Sequence, residues 1–449
     1  MTTNVNASRT SQPALNAVGK VSTGLFIDGR WCEAASGARF DVVNPATEEV
    51  IATVADGGPE DAARAIETAG RVQKDWAKTS PRARSEILRR AYDIIMDRQD
   101  ELALIMTTEM GKPFAEAKGE VAYAAEFFRW FSEEAVRIGG DQTTTGDGKN
   151  RILVSKEPVG PCVLVTPWNF PLAMGTRKIG PAIAAGCTMV FKPANLTPLS
   201  SLALVDILVE AGLPAGVLNV VCTSRASSVV GPWMSSGIAR KISFTGSTEV
   251  GVRLLEQAAQ HVMRSSMELG GNAPFLVFAD ADLDRAVEGA VAAKMRNMGE
   301  ACTAANRLFV QRPVAEEFSA RLAARLGVLS VGDGAQHGTD VGPLVEEKAL
   351  TKVQELVDDA VAKGATVVCG GSRPDRPGYF YTPTVLSDVD PSAQLMNEEI
   401  FGPVAPVIPF DTEEEVVRMA NDTPGLGREG GRVGIEEFLE TKYMAVPRA

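Results

Sequence analysis

Short apolar runs alternate with helical stretches from residue 162 onward, and this alternation restricts the fold more than any other feature. Runs at 162–166, 188–192, 217–221 and 241–244 read as strands, with helices over 172–185 and 199–211 between them. Strands this short and apolar are buried on both faces, the mark of a parallel sheet covered by helices. A second alternation begins near Pro274, with strands at 275–278, 307–310 and 366–369 and a helix of 3.6-residue period over 283–295. The expectation is an α/β fold with two doubly wound parallel-sheet domains. Upstream, 25–54 reads as short strands and turns, with Asp28-Gly29 as a hairpin signal. Residues 59–138 read as helices, one opening at Ser80-Pro81 and one broken at Gly111-Lys112-Pro113. A polar turn over 143–150 leads into a strand over 151–158.

Composition narrows the function classes. At 449 residues, 45% hydrophobic and 23% charged, the chain is an ordinary globular sequence of two or three domains. A formal charge of −12 argues against a nucleic-acid partner, so an anionic ligand must be met by local Lys, Arg or helix N-termini. No apolar run is long enough to span a bilayer, and no membrane partner is expected. Residues 1–23 are polar, lack a signal-peptide core and read as a disordered tail on a cytoplasmic protein. Six scattered cysteines (Cys32, Cys162, Cys187, Cys222, Cys302 and Cys369) and two histidines give no zinc-type spacing, so no metal site is expected.

Several motifs carry chemistry, and each has a plain structural alternative. Phe244-Thr245-Gly246-Ser247, with Gly251 beyond, lies where a strand meets a helix. Gly246 admits close backbone approach and the helix start offers free N–H groups, which suits a phosphate. The spacing is not GxGxxG, and a capped turn explains it equally well. Lys192 ends a strand, where ligands of open α/β sheets bind. The alternative is a solvated lysine. Neutral Asn195, three residues on, would not repel a 2′-phosphate, which favours NADP over NAD. In Pro167-Trp168-Asn169-Phe170-Pro171 two prolines fix the backbone around one amide that can donate to an oxyanion, unless the loop is only rigid. Glu268, in Met267-Glu268-Leu269-Gly270-Gly271-Asn272, has apolar flanks that suit a general base, or is a strand-end surface acid. Cys302 ends Asn297-Met298-Gly299-Glu300-Ala301-Cys302. An ordinary thiol is only a few per cent thiolate at neutral pH, so a nucleophilic role needs a helix N-terminus or an oxyanion-type pocket. The alternative is a buried structural cysteine. Glu399 and Phe401, in Asn397-Glu398-Glu399-Ile400-Phe401-Gly402-Pro403, can take ribose hydroxyls and flank a nicotinamide ring, or form an acidic loop.

Together and in this order, PWNFP, FKPAN, FTGS, MELGGN, NMGEAC and EEIFGP resemble the aldehyde dehydrogenase superfamily from about Leu25 onward. The resemblance implies that Cys302 attacks the aldehyde and that Asn169 and the Cys302 N–H form the oxyanion hole. It implies that Glu268 activates water to hydrolyse a thioester. The catalytic set is then Cys302, Glu268, Asn169 and Lys192. Thr166, Pro167, Trp168, Asn169, Lys192, Asn195, Gly246, Ser247, Gly251, Leu269, Glu399 and Phe401 match cofactor-binding positions, for NADP or NAD. Met174-Gly175-Thr176-Arg177-Lys178 and Lys294-Met295-Arg296-Asn297 resemble the succinate-semialdehyde group, where Arg177 and Arg296 clamp the distal carboxylate bidentately. Two helix-surface arginines are the alternative. Implied domains are a Rossmann-like dinucleotide-binding domain (24–139 and 160–268), a catalytic domain (269–434) and a small β oligomerisation arm (140–159 and 435–449). In the arm, 151–158 and 438–446 are expected to pair across subunits of a homodimer or homotetramer.

One departure stands out. Asn421-Asp422-Thr423-Pro424 runs directly into Gly425-Leu426-Gly427-Arg428-Glu429-Gly430-Gly431, where relatives carry several dozen more residues. The resemblance implies that this stretch supplies a helix, a sheet strand, a pocket-closing loop and a serine for the substrate carboxylate. Three readings follow: a succinate-semialdehyde dehydrogenase, a catalytically impaired dinucleotide-binding relative, and a dehydrogenase of glutarate semialdehyde or another small aldehyde.

Overall fold

The computed structural model describes residues 10–422 and 431–447. Its larger sheet has seven strands in the order Arg264–Leu269, Lys241–Gly246, Cys162–Val165, Met189–Lys192, Leu218–Val220, Leu25–Ile27 and Arg30–Cys32. The first five are parallel. The last two form an antiparallel hairpin in which Asp28 (φ 53) and Gly29 (φ 74) make the two-residue turn. Both left-handed residues match the twist of the flanking strands. Cys162–Val165, Met189–Lys192 and Leu218–Val220 are buried at every position, as both-face coverage requires.

The second sheet has the order Ala273–Val277, Ala305–Gln311, Val404–Phe410, Thr384–Ser387 and Thr366–Cys369. Four strands are parallel, but Thr366–Cys369 runs antiparallel to Thr384–Ser387. No helix lies between those two strands, and Gly370 (φ 72) and Gly371 (φ 79) turn the chain back on itself. Without a crossover the return is antiparallel. At the opposite edge, Phe275 and Leu276 of Ala273–Val277 are half-buried. Buried Arg307 ties that strand to the helix Glu413–Asn421: its Nε donates to Asn272 O at 2.8 Å, Nη1 to Met419 O at 2.8 Å and Nη2 to Ala420 O at 3.0 Å. The five strands are continuous among the described residues. The junction at Thr423–Gly425 lies outside them.

Two expectations are corrected. Within the supposed tail of 1–23, Gln12–Val18 is a helix with Pro13 in its first turn and Ala14, Ala17 and Val18 buried. Thr10 anchors it, its N–H donating to Glu49 Oε2 at 2.9 Å and its hydroxyl lying 3.0 Å from Asn44 Nδ2. A polar composition hid a short amphipathic turn. The arm strand Leu439–Pro447 pairs antiparallel with Asn150–Pro158 of the same chain, not across subunits, with Asp141–Thr144 on the other side. Turn geometry was not needed to bring these strands together, because the helix Gly431–Glu436 and Phe438 deliver the C-terminal strand to the sheet.

The helices Gln99–Met110 and Phe114–Ala135 meet at Gly111, which has φ 97. A Cβ there would lie 2.7 Å from Pro343 Cγ and 3.0 Å from Pro343 O. Gly111→Ala is expected to destabilise the protein by about 2 kcal/mol through left-handed strain and the clash. A urea midpoint equal to that of the unsubstituted chain would contradict this.

Candidate active site

The central strand Cys162–Val165 is the first of the parallel set. The chain adds Met189–Lys192 and Leu218–Val220 on one side, then returns to add Lys241–Gly246 and Arg264–Leu269 on the other. Such a switch point opens a crevice at the carboxyl ends of the strands. Register places the ends level: Val165 lies beside Lys192, and Thr245 beside Glu268. The loop after Val165 carries Asn169, and the helix after Gly246 begins with Ser247 as its N-cap, accepting from the Val250 N–H.

A cavity of about 770 Å³ opens over these ends. Pro167, Trp168, Asn169, Gly246, Ser247, Glu268 and Leu269 line its first-domain side. Cys302, Glu399 and Phe401 line the side contributed by the second domain. Ten candidates from separate stretches thus meet in one place. Six others, Thr166, Lys192, Asn195, Gly251, Arg177 and Arg296, do not line it. Lys192 is buried, and burial pushes its ammonium down to about 8. The Thr166 N–H donates to Lys192 O at 3.3 Å. Asn195 is exposed, and Gly251 is buried against Leu269, where a Cβ would collide.

Cys302 is half-buried in the turn after the helix Leu283–Met295. Burial pushes its thiol up, Arg177 pulls it back, and Glu399 and Glu268 add to the rise. The resting site therefore disfavours the thiolate, contrary to the sequence argument that a pocket would promote it. The helix also stops at Met295. Asn297 (φ 54), Met298 (φ 57) and Gly299 (φ 80) are all left-handed, so Arg296 and Cys302 are related by a tight turn and not by helical spacing. A Cβ at Gly299 would meet Gly402 O, which is why glycine stands there.

Asn169 is 3% exposed. Its Nδ2 donates to Glu300 O at 3.0 Å, leaving the second N–H of the amide for another acceptor. Its carbonyl accepts from Lys112 Nζ at 2.9 Å and from Asn297 Nδ2 at 3.1 Å. Glu399 accepts the Gly271 N–H at 2.9 Å, and burial raises its carboxyl. Lys352 Nζ donates to the Glu399 carbonyl at 2.6 Å. Phe401 (φ 49) packs edge-on against Trp168 with centroids 5.8 Å apart. Arg177 and Arg296 converge on Tyr123: Arg177 donates to its hydroxyl, and their guanidinium carbons lie 5.7 and 5.8 Å from its ring centroid.

Sequence reasoning missed Lys112, Lys352, Gly270 and Tyr123. Gly270 leaves space that the Glu399 carboxylate occupies, since a Cβ there would meet it. The diglycine was a usable signal for that approach. Lys112 lies in a helix break and Tyr123 on a helix face, and only packing reveals their partners.

The aldehyde dehydrogenase family matches residues 31–427. Succinate-semialdehyde dehydrogenase of Paenarthrobacter nicotinovorans is 52% identical over 444 positions, covering 88% of this chain and 99% of that protein. The NADP(+) succinate-semialdehyde dehydrogenase of Escherichia coli is 45% identical, covering 94% of this chain and 97% of its own. An alignment of 444 positions exceeds 88% of 449 residues by several dozen, so the relative carries positions with no counterpart here. A crystal structure of succinate-semialdehyde dehydrogenase from Burkholderia pseudomallei superposes with a TM-score of 0.93 at 43% identity, covering 98% of this chain and all of that one. A family model over most of the chain, relatives at 45% and 52% identity and a closely superposing solved structure agree, and the chain belongs to the aldehyde dehydrogenase family.

Proposed function

We propose that the chain oxidises succinate semialdehyde to succinate with NADP or NAD as hydride acceptor. The observation that carries this reading is the single cavity in which Cys302, Glu268 and Asn169 meet. A dinucleotide fits the residues present. Gly246 and Ser247 offer a helix start to a phosphate, Glu399 and Phe401 in the same cavity suit the nicotinamide end, and neutral Asn195, exposed outside the cavity lining, leaves a 2′-phosphate unopposed. When bound, the nicotinamide supplies the acceptor for the hydride that leaves the substrate carbon.

The chain's own residues do the rest. Cys302 Sγ attacks the aldehyde carbon once its proton is removed, and Glu268 is the carboxylate lining the same cavity that can take it. The free Asn169 N–H donates to the developing oxyanion, a contribution of about 3 kcal/mol for one such donor. After oxidation the acyl group stays on Cys302 as a thioester. Glu268, having passed that first proton to solvent, then takes one from water; the hydroxide adds to the acyl carbon and the C–S bond breaks, releasing the acid and restoring Cys302. Arg177 and Arg296, converging on Tyr123, present two guanidiniums to the distal carboxylate. Glutarate semialdehyde, one methylene longer, is the neighbouring substrate class, and a single methylene is worth only about 1–3 kcal/mol.

We place the enzyme in the cytoplasm as a homo-oligomer. All six cysteines are free thiols, as a reducing compartment maintains. No described helix is long and apolar enough to cross a membrane. The arm strand Leu439–Pro447 is a sheet edge with Tyr443 63% and Met444 58% exposed, an apolar edge suited to a second copy.

Purified protein is expected to reduce NADP or NAD when given succinate semialdehyde, and Cys302→Ala to lower that rate by roughly a thousandfold or more while dinucleotide binding persists. Turnover retained by the alanine protein would remove Cys302 from the mechanism; dinucleotide binding without turnover in the unsubstituted chain would favour an impaired relative.

Arg177→Ala and Arg296→Ala should each raise KM for succinate semialdehyde by roughly tenfold or more and leave butanal little affected. Equal effects on both aldehydes would refute the clamp. Because the Cys302 thiol is raised, its alkylation by iodoacetamide in the absence of cofactor should climb with pH about a midpoint above that of an unstructured cysteine peptide. A midpoint below the peptide's would show that the site activates the resting thiol.

A further inference from the structure

The helix Phe114–Ala135 touches both loops that meet at the nucleophile. Glu120 forms a buried ion pair with Lys112, and its Oε1 accepts the N–H groups of Leu172 and Ala173 at 3.1 and 3.2 Å. Lys112 in turn holds the Asn169 carbonyl. One helical turn earlier, Glu116 Oε2 accepts the Asn297 N–H at 2.7 Å. Residues four apart share one helix face, so a single face grips the oxyanion loop and the nucleophile loop together.

The chain leaves helix geometry at Arg296 (φ −51, ψ 127), and Asn297 opens the left-handed turn that follows. The helix Leu283–Met295 would, if continued, direct the Asn297 N–H to a carbonyl one turn back. The Glu116 carboxylate takes that N–H instead, and the next residues adopt the left-handed run 297–299. Asn297 Nδ2 is thereby aimed at Asn169 O and at Glu300 O, at 3.1 and 2.9 Å. Left-handed Asn and Met are strained, and strain persists only where surrounding contacts over-determine it.

We propose that Glu116 is a positioning residue for catalysis, accepting the Asn297 N–H so that the left-handed turn sets Cys302 against the Asn169 amide. The proposal rests on the reading of Cys302 as the nucleophile. Glu116 touches neither substrate nor cofactor here; it acts through the backbone of Asn297. Its loss leaves a thiol that still reacts with a small alkylating agent but no longer lies in register with the oxyanion donor. A small misplacement of this kind is costly in turnover.

The test uses the full chain carrying Glu116→Ala, Glu116→Met or Glu116→Gln. Three quantities are read: kcat with succinate semialdehyde and NADP, KM for NADP, and the rate of Cys302 alkylation by iodoacetamide followed on its peptide by mass spectrometry. The Ala and Met proteins, which lack an acceptor, are expected to lose roughly tenfold or more in kcat, with KM for NADP within about twofold and alkylation within about threefold. The Gln protein keeps an acceptor oxygen and should recover most of the lost kcat. Unchanged kcat in the Ala and Met proteins overturns the proposal, as does a parallel fall of kcat and alkylation, or a Gln protein as slow as the Ala protein. Failure of both Ala and Met proteins to fold beside a folded Gln protein also overturns it, since Glu116 would then serve the fold alone. Cys302→Ala separates the two levels: turnover surviving in that protein defeats the nucleophile reading, whatever the Glu116 series shows.

Discussion

The carbonyl oxygen of Asn169 is buried, and two cationic or amide donors from different parts of the chain converge on it: Lys112 Nζ at 2.9 Å and Asn297 Nδ2 at 3.1 Å. A buried carbonyl without donors would be costly, so these contacts are not optional decoration. They also tie three elements together. Lys112 belongs to the break between two helices of the first domain, Asn169 to a strand-end loop, and Asn297 to the second domain. Asn169 Nδ2 closes the circuit by donating to Glu300 O at 3.0 Å. The crevice between the sheets is thus held by a small polar network in which main-chain and side-chain groups of one residue do different work.

Burial dominates the electrostatics around that network. Lys192 is pushed down to about 8 and Lys294 to about 7, each chiefly by desolvation. Glu109 is pushed up to about 7 for the same reason, although it caps the helix Pro198–Glu210 through the N–H groups of Leu199 and Ser200. A dry interior penalises charge of either sign, so Lys192, Lys294 and Glu109 each sit nearer neutrality than in water. The raised Cys302 thiol belongs to the same pattern. In the proposed reaction Cys302 therefore needs its proton removed within the cavity before it attacks.

Much of the fold was legible because apolar periodicity survives in a single sequence. The strand runs at 162–166, 188–192 and 241–244 and the helix over 283–295 were visible from pattern alone, and the Asp28-Gly29 turn from its chemistry. The convergence of Cys302, Glu268, Asn169, Glu399 and Phe401 was legible only as a resemblance, since no spacing in the chain says that residues 169 and 302 touch the same space. What stayed hidden follows from physics that periodicity does not encode. The direction of Thr366–Cys369 depends on a connection without a crossover. The helix at Gln12–Val18 depends on a docking partner, Glu49, far along the chain. The left-handed turn at Asn297 depends on a carboxylate from another helix, and the packing of both arginines on Tyr123 depends on how two helices lie together.

The pairing of Leu439–Pro447 with Asn150–Pro158 has a consequence for synthesis. These strands match over their whole length, yet nearly the entire second domain separates them in the chain. A nascent polypeptide emerging from a ribosome can build the first parallel sheet and much of the second before its final strand exists. The middle strand of the arm must wait, paired only with Asp141–Thr144, until Leu439–Pro447 has emerged. Contacts so distant in sequence are slow to form, and an unpaired edge is exposed in the meantime. The arm therefore closes only after both parallel sheets have been made, and until then its open edge can be captured by a chaperone or by a neighbouring chain.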